Sequence, residues 1–342
     1  MKKLQNTLYI LKEGAYLHKE NETLIIDFKE NDKTETLLKV PMHAVGNIFC
    51  FGNIMVSPQL LGFCGDNGVQ LSFYTQYGRF QARVIGQQSG NILLRQAQFE
   101  YAKSQDLRIA KNIIAAKVRS SRNLIQRYVR TYGKNEDLDF AAGRMQQIIK
   151  QLEITNDKDL IRGLEGEAAR YYFQVFDQMI RVKEKFSFSS RNRRPPKDPI
   201  NSLLSFLYSI YSKEISGALQ GVGLDPQMGF FHTPRPGRDS LALDLLEEFR
   251  SPIVDRLVLS IVNRGQLEPD DFVCDVLNGV TLKHEARKKL LQIWQTKKQE
   301  EIMHSFLKES VPIGLLPHVQ AMLMARFLRK DLDNYPPFIS RQ

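Results

Sequence analysis

Up to about residue 88 hydrophobic positions fall in short β-favouring runs, at residues 7–11, 15–18, 23–28, 36–40, 47–51, 69–73 and 80–85, each bounded by turn residues. One interruption has Ser57 and Pro58 at an N-cap and first helical position and Gly65-Asp66-Asn67-Gly68 as a stop, which predicts a short helix. After Ser89-Gly90-Asn91 the pattern changes to apolar residues at three- and four-residue spacing, in long stretches without Pro and rich in Ala, Leu, Arg, Lys and Gln. Breaks are expected at 133–139, 187–199, 221–238, 265–270 and 312–317. The fold class expected is α+β. A small N-terminal β-rich domain (1–88) is followed by a linker with a first helix (89–104) and a larger all-α domain (105–342).

Composition is that of an ordinary globular protein: 342 residues, 42% hydrophobic and 25% charged. Charge changes the picture more. Lys and Arg number 48 against 38 Asp and Glu, a formal +10, so an anionic partner such as nucleic acid or a membrane surface comes into view. Residues 1–88 carry nine basic and eight acidic side chains, which leaves dimerisation rather than anion binding as a use for that domain. Residues 91–133 hold nine basic and two acidic side chains. On a helical wheel Arg108, Lys111, Arg119, Arg122 and Arg130 share one arc, opposite Ile109, Ile113, Ile114, Val118, Leu124, Ile125 and Tyr128. That face is either a solvated surface or a rail that tracks phosphates, and the lack of compensating acids favours the rail. A second cluster, Arg191-Asn192-Arg193-Arg194-Pro195-Pro196-Lys197-Asp198-Pro199, is a Pro-stiffened basic loop or a mobile basic linker.

Three cysteines, Cys50, Cys64 and Cys274, without a CxxC pair support neither a disulfide framework nor thiolate zinc, and a reducing cytosol is the simplest compartment. No run of 18 apolar residues predicts a membrane span, and the start of the chain, which lacks a small-residue cleavage site, is expected to be mature sequence.

Candidate chemistry lies in three places. Glu165 shares a helical stripe with Ile161, Ala168, Ala169, Tyr172 and Phe176, and a carboxylate on an apolar face must be neutral, paired with a cation or bound to a metal. Arg162 and Arg170 are the candidate ion-pair partners. Gly163 and Gly166 remove bulk beside it, which opens the way to a neighbouring element or a ligand. His232 lies in the stiff loop Gly229-Phe230-Phe231-His232-Thr233-Pro234. Asp244, Glu247 and Glu248 follow on a helix expected to be capped by Ser240, as a cation-binding cluster or a solvated acidic face. Together these make a nitrogen and oxygen ligand set without sulfur, suited to Mg²⁺ or Mn²⁺ and pointing to metal-assisted phosphodiester chemistry.

The motifs Gly-Asn-Ile-Leu-Leu-Arg-Gln-Ala-Gln (90–98), Arg162-Gly163-Leu164-Glu165-Gly166, Pro199-Ile200-Asn201-Ser202-Leu203-Leu204, Gly229-Phe230-Phe231-His232 and Ser240-Leu241-Ala242-Leu243-Asp244-Leu245-Leu246-Glu247 occur in order along the chain. In these the chain closely resembles the CRISPR-associated spacer-acquisition integrase family, nearly end to end. The resemblance implies a metal-dependent DNA endonuclease and integrase that inserts spacers into a CRISPR array by transesterification, with a dimerising β-rich domain and a helical catalytic, DNA-binding domain. It assigns Glu165 and His232 to the metal. Where the family commonly has Asp, two residues, then Asp, this chain has Asp244 and Glu247, with Glu247 taken as the direct ligand and Asp244 as a supporting acid. The implied partners are double-stranded DNA (prespacer and repeat), a second copy of the chain and a small ferredoxin-like companion protein, with no membrane. The DNA-contacting residues expected are Arg108, Lys111, Arg119, Arg122, Arg130, Arg191, Arg193 and Arg194. A branched-DNA repair nuclease with the same site and a non-catalytic DNA-binding scaffold are the alternatives.

Overall fold

The structure, a computed structural model, describes residues 6–30, 33–76, 80–86, 92–274 and 279–340. The chain divides into two compact units, residues 1–89 with 287–299, and residues 90–286 with 300–342.

The first unit is strand-rich. It contains β1 (Asn6–Ile10), β2 (Ala15–Glu20), β3 (Thr23–Glu30), β4 (Lys33–Pro41), β5 (Val45–Phe51), β6 (Met55–Val56), α1 (Pro58–Asn67), β7 (Gln70–Tyr74) and β8 (Phe80–Arg83). One sheet has the order β4-β3-β2-β6 and the other β1-β5-β7-β8. Asn21, at φ 50°, allows the tight reversal between β2 and β3. Leu17, Leu24 and Ile26 join Ile10, Ile48, Cys50 and Leu71 in one buried cluster, with Leu60 and Cys64 of α1 packed in as well. Ser57 Oγ accepts from the Leu60 N–H at 3.2 Å, so the predicted cap is present, and the helix stops at Gly68 (φ 65°), the last residue of the predicted stop.

The second unit is helical: α2 (Ile92–Lys103), α3 (Arg108–Tyr132), α4 (Glu136–Ile154), α5 (Lys158–Gln174), α6 (Pro199–Val222), α7 (Ser240–Phe249), α8 (Arg256–Asn263) and α10 (Leu316–Leu328). Residues 287–299 of α9 (His284–Gln299), which the sequence pattern assigns to the helical domain, group with the strand-rich unit. Side-chain caps explain the helix starts. Asn135 accepts from Leu138 N at 3.1 Å, Asp157 from Asp159 N and Leu160 N at 2.8 and 3.1 Å, and Asp198 from Asn201 N at 2.8 Å. The break at 155–157 carries no Gly or Pro, so only its capping Asp157 marks it in the sequence. Pro252 has no N–H to donate and lies in the wide helical turn Arg250–Asp255 that links α7 to α8. The all-α expectation is refined by two antiparallel ribbons, β9 (Phe272–Cys274) with β10 (Val280–Leu282) and β11 (Glu301–Met303) with β12 (Ser310–Pro312). Their three-residue strands are too short to show a period. No helix among the described residues is long and apolar enough to cross a membrane.

In this unit α3 is central. Its Ile109, Ile113, Ile114 and Ile125 are fully buried, and α4, α5 and α7 pack around it. That packing sets the spacing of the candidate site.

Candidate active site

Four elements bring polar groups to one place: α3, α5, the α6–α7 loop and α7. The loop is fixed from both ends. Gln98 of α2, fully buried, donates to the Asp225 and Met228 carbonyls at 2.8 and 2.9 Å and accepts from Asp225 N at 2.9 Å. Arg162 of α5 donates to Thr233 Oγ1 at 3.0 Å. Asp244, with no exposed surface, completes the clamp: its carboxylate accepts from the N–H groups of Phe230 (2.6 Å), Phe231 (3.0 Å) and His232 (2.8 Å), and from His232 Nδ1 (2.7 Å). A Cβ on Gly229 would stand 2.8 Å from Asp244 Oδ2 and 2.9 Å from Ser240, so only glycine lets the loop approach α7 this closely.

Both oxygens of Asp244 accept from backbone N–H groups, so Nδ1 of His232 carries the proton of the bond between them, and Nε2 faces Glu247. Nε2 lies 3.9 Å from Glu247 Oε1. Glu247 is almost fully buried. Burial raises its pKa, but Arg250, Lys117 and His232 outweigh that effect and hold it at about 2. Its Oε2 lies 2.7 Å from Lys117 Nζ and 2.9 Å from Arg250 Nε, yet among the described residues no donor meets that oxygen in hydrogen-bonding alignment. Lys117 also donates to Glu165 Oε1. The Lys117 ammonium thus bridges Glu165 and Glu247, and His232 Nε2 approaches the other oxygen of Glu247. Lys117 and Glu165 open on a cleft of about 40 Å³ that Tyr172, Arg193, Tyr208 and Arg250 also line.

Two carboxylates and an imidazole nitrogen are the donors that Mg²⁺ or Mn²⁺ prefers, and a buried carboxylate oxygen that already draws two cationic side chains favours positive charge beside it. The residues fit such an ion in kind. Among the described residues, however, no three acidic, His or Cys side chains are already drawn together around one point.

Several expectations change. Asp244, Glu247 and Glu248 are not a solvated face: α7 is buried on nearly all sides, and all three are within 4% of full burial. Glu248 points away from the cleft, accepting from Tyr335 OH (2.6 Å), Gln320 Nε2 (2.8 Å) and Phe338 N (2.7 Å), and burial pushes its pKa up to about 8 despite those donors. The residue before α7 is Asp239, and Ser240 is the first helical residue. Asp239 makes no cap bond and instead accepts from Ser216 Oγ at 3.0 Å, while Ser240 Oγ donates to the Thr233 carbonyl at 3.3 Å. Glu165 pairs with Lys117 rather than with Arg162, which pairs with Asp159 at 2.9 Å, or Arg170, which lies over the Tyr171 ring. A Cβ at Gly163 or Gly166 would meet nothing within 4 Å, so among the described residues no element presses on that face.

The basic residues divide. Arg108, Lys111 and Arg119 line a groove of about 640 Å³ together with Leu332, Asp333 and Asn334. Compensating acids, inferred to be lacking, are present, one a near neighbour in sequence and one brought in by the fold. Arg108 pairs with Asp106 at 2.6 Å and Arg119 with Glu153 of α4 at 2.7 Å, while Lys111 donates to the Glu153 carbonyl at 3.2 Å. Arg122 is half-buried and Arg130 is exposed. Arg191 is not an open clamp. It is partly buried, donates to Asn201 Oδ1 at 2.6 Å and Ser205 Oγ at 3.1 Å, and ties its loop to α6, whereas Arg193 and Arg194 are exposed.

Beneath the cleft, Asp255 accepts hydrogen bonds from Tyr172 OH and Tyr208 OH, and the Arg250 guanidinium stacks 4.4 Å from the Tyr208 ring centre. Lys117 and this network escape a motif reading. Lys117 alone carries a sequence signal: it is a lone cation in the middle of the apolar stripe of α3, the counterpart of Glu165 on α5.

Residues 8–296 match the family described as CRISPR associated protein Cas1. CRISPR-associated endonuclease Cas1 1 of Chlorobaculum tepidum is 45% identical over 347 residues, covering 100% of this chain and 100% of that relative. A solved casposase bound to integration product superposes with a TM-score of 0.82 at 21% identity, over 97% of this chain and 93% of the other. A Cas6-RT-Cas1–Cas2 complex gives 0.80 at 22% identity, over 100% of this chain and 37% of that one. At those identities the two structures speak to the fold.

Proposed function

This chain belongs to the CRISPR-associated Cas1 family, and from that premise we propose that it is a divalent-metal-dependent DNA endonuclease and integrase that inserts DNA fragments into a CRISPR array. The observation that carries the proposal is the Lys117 ammonium held between Glu165 and Glu247, with His232 Nε2 3.9 Å from the other oxygen of Glu247.

Glu165, His232 Nε2 and Glu247 would hold Mg²⁺ or Mn²⁺. Bound there, the ion supplies Lewis acidity toward a phosphodiester and favours the ionised form of the attacking hydroxyl. The chain does the rest. Asp244 fixes the tautomer and the direction of His232, and a ligand held this firmly loses little entropy on binding. Arg250 keeps Glu247 ionised in a buried setting. Arg193 and Arg194, with Arg108, Lys111, Arg119, Arg122 and Arg130, would supply phosphate contacts that position a duplex without reading its bases. In the strand transfer a DNA 3′ oxygen forms a new bond to phosphorus as the bond to the leaving 3′ oxygen breaks. The proton lost by the attacking hydroxyl is balanced by the one the leaving oxygen gains. With water as attacker the same exchange is hydrolysis, and neither route forms a protein–DNA adduct.

A second copy of the chain and a small ferredoxin-like companion complete the proposal. Tyr16 and Met55, exposed apolar residues paired across β2 and β6, offer a surface for the former. The similar structure solved as a complex with Cas2 supports the latter. The cytoplasm, where the array resides, is the proposed location. The test is integration of a labelled prespacer into a repeat-bearing plasmid, with Mn²⁺ or Mg²⁺, with and without the companion. Joined product that needs both ion and companion is expected. Joining or cleavage that ignores the companion would favour a branched-DNA repair nuclease, and unchanged DNA chemistry in Glu165→Gln would favour a non-catalytic scaffold.

A further inference from the structure

Lys117 sits on the apolar stripe of α3 among Ile113, Ile114 and Val118, and its side chain keeps 15% of its exposure. A buried ammonium needs a compensating anion. It has two, Glu165 and Glu247, and both belong to the set assigned above to the ion. A divalent ion taking the same two carboxylates brings two positive charges against a third within a few ångström, beside a cleft of only about 40 Å³ that Lys117 and Glu165 line. One cation must give way. Arg250 is held by its stacking on Tyr208 and its contact with Glu247, and it is largely buried. Lys117 has a flexible four-carbon stem and no third partner among the contacts described for it.

We propose that Lys117 is the internal counter-cation of this site: it bridges Glu165 and Glu247 when no divalent ion is present, and it is displaced from them when one enters. The inference rests on the reading of Glu165, His232 and Glu247 as ion ligands. Its consequence is a competition. The same ammonium that keeps two neighbouring carboxylates from repelling one another in the ion-free protein also weakens ion binding, so that the site is stable empty and loads only when the ion is sufficiently abundant. Removing the ammonium should cost stability and raise affinity together, whereas a residue that merely organises the ligands would lower both.

The test is Mn²⁺ affinity of the DNA-free, full-length protein, read from the electron paramagnetic resonance signal of free Mn²⁺. Lys117→Met should bind Mn²⁺ about tenfold more tightly than wild type and melt at a lower temperature, because one repelling charge is gone and two carboxylates are left uncompensated. Equal or weaker binding by folded Lys117→Met overturns the inference. Glu165→Gln serves as the separate control. If wild type shows no Mn²⁺ site that Glu165→Gln weakens, the ion-site reading itself fails. A second measurement does not depend on the folding of Lys117→Met. In wild-type protein labelled with ¹⁵N-lysine, the Lys117 Nζ resonance, identified by its loss in Lys117→Arg, should shift on titration with Mg²⁺. A resonance unmoved at saturating Mg²⁺ also overturns it.

Discussion

Asparagine at position 244 is nearly the same size as aspartate, yet it should be one of the most damaging single changes in the helical unit. Each carboxylate oxygen of Asp244 accepts two hydrogen bonds, Oδ2 from the N–H groups of Phe230 and Phe231, and Oδ1 from His232 N and Nδ1, all between 2.6 and 3.0 Å. An amide keeps one of those oxygens and turns an NH₂ toward the other two donors. Two charge-assisted bonds are lost and two buried donors face a third, at about 1.5 to 3 kcal/mol for each bond. Because the position is fully buried, water cannot repair the loss, and a total of about 4 kcal/mol follows. For a unit of this size that is roughly 10 °C in Tm. The assay is urea and heat unfolding of Asp244→Asn beside His232→Ala, which withdraws only the side-chain member of the four bonds and should cost about 1 kcal/mol. An Asp244→Asn protein within about 1 kcal/mol of wild type, or less destabilised than His232→Ala, would refute the clamp.

Two further outcomes follow from the same structure. Lys111→Ala combined with Arg119→Ala should weaken binding to all duplexes alike and lower the slope of log affinity against log salt by roughly 2, and Glu153→Gln, which releases Arg119, should act in the opposite direction; an unchanged slope with altered sequence preference would contradict a phosphate rail. Glu248, raised by burial from 4.5 to about 8, holds a proton in the folded chain that the unfolded chain releases, so its contribution to stability is full below about pH 4.5 and is lost as pH rises through about 8. Glu248→Gln should therefore flatten the decline in urea-unfolding stability across that window, and an unaltered pH profile would contradict the assignment.

The legible parts of this protein are those whose signal is local. A carboxylate on an apolar stripe is an anomaly visible in the chain alone, and it led to Glu165. A histidine among Gly, Phe and Pro led to His232. Lys117 is the same anomaly on α3, but a reading that groups cations by their polar arc passes over the one that points inward. Partners distant in sequence were beyond reach. Glu248 belongs to Tyr335 and Phe338, 87 and 90 residues away, and nothing near α7 indicates that its carboxylate turns from Glu247. Arg191 reads as a phosphate clamp until Asn201 and Ser205, on the first turns of α6, are seen to accept its guanidinium. Likewise Arg119 reads as uncompensated because Glu153 arrives from another helix. The change of period near residue 90 marks the strand-rich and helical parts, whereas three-residue ribbons leave no period to detect.

The central claim is that Glu165, His232 and Glu247 together form one divalent-ion site. Crystals of the protein equilibrated with Mn²⁺, with anomalous diffraction recorded on both sides of the manganese absorption edge, test it most directly. The predicted result is a peak within about 2.2 Å of a Glu165 oxygen, His232 Nε2 and a Glu247 oxygen, with the Lys117 ammonium displaced from between the glutamates and the peak abolished in Glu165→Gln. Manganese bound elsewhere, or a peak that persists unchanged in Glu165→Gln, would contradict it.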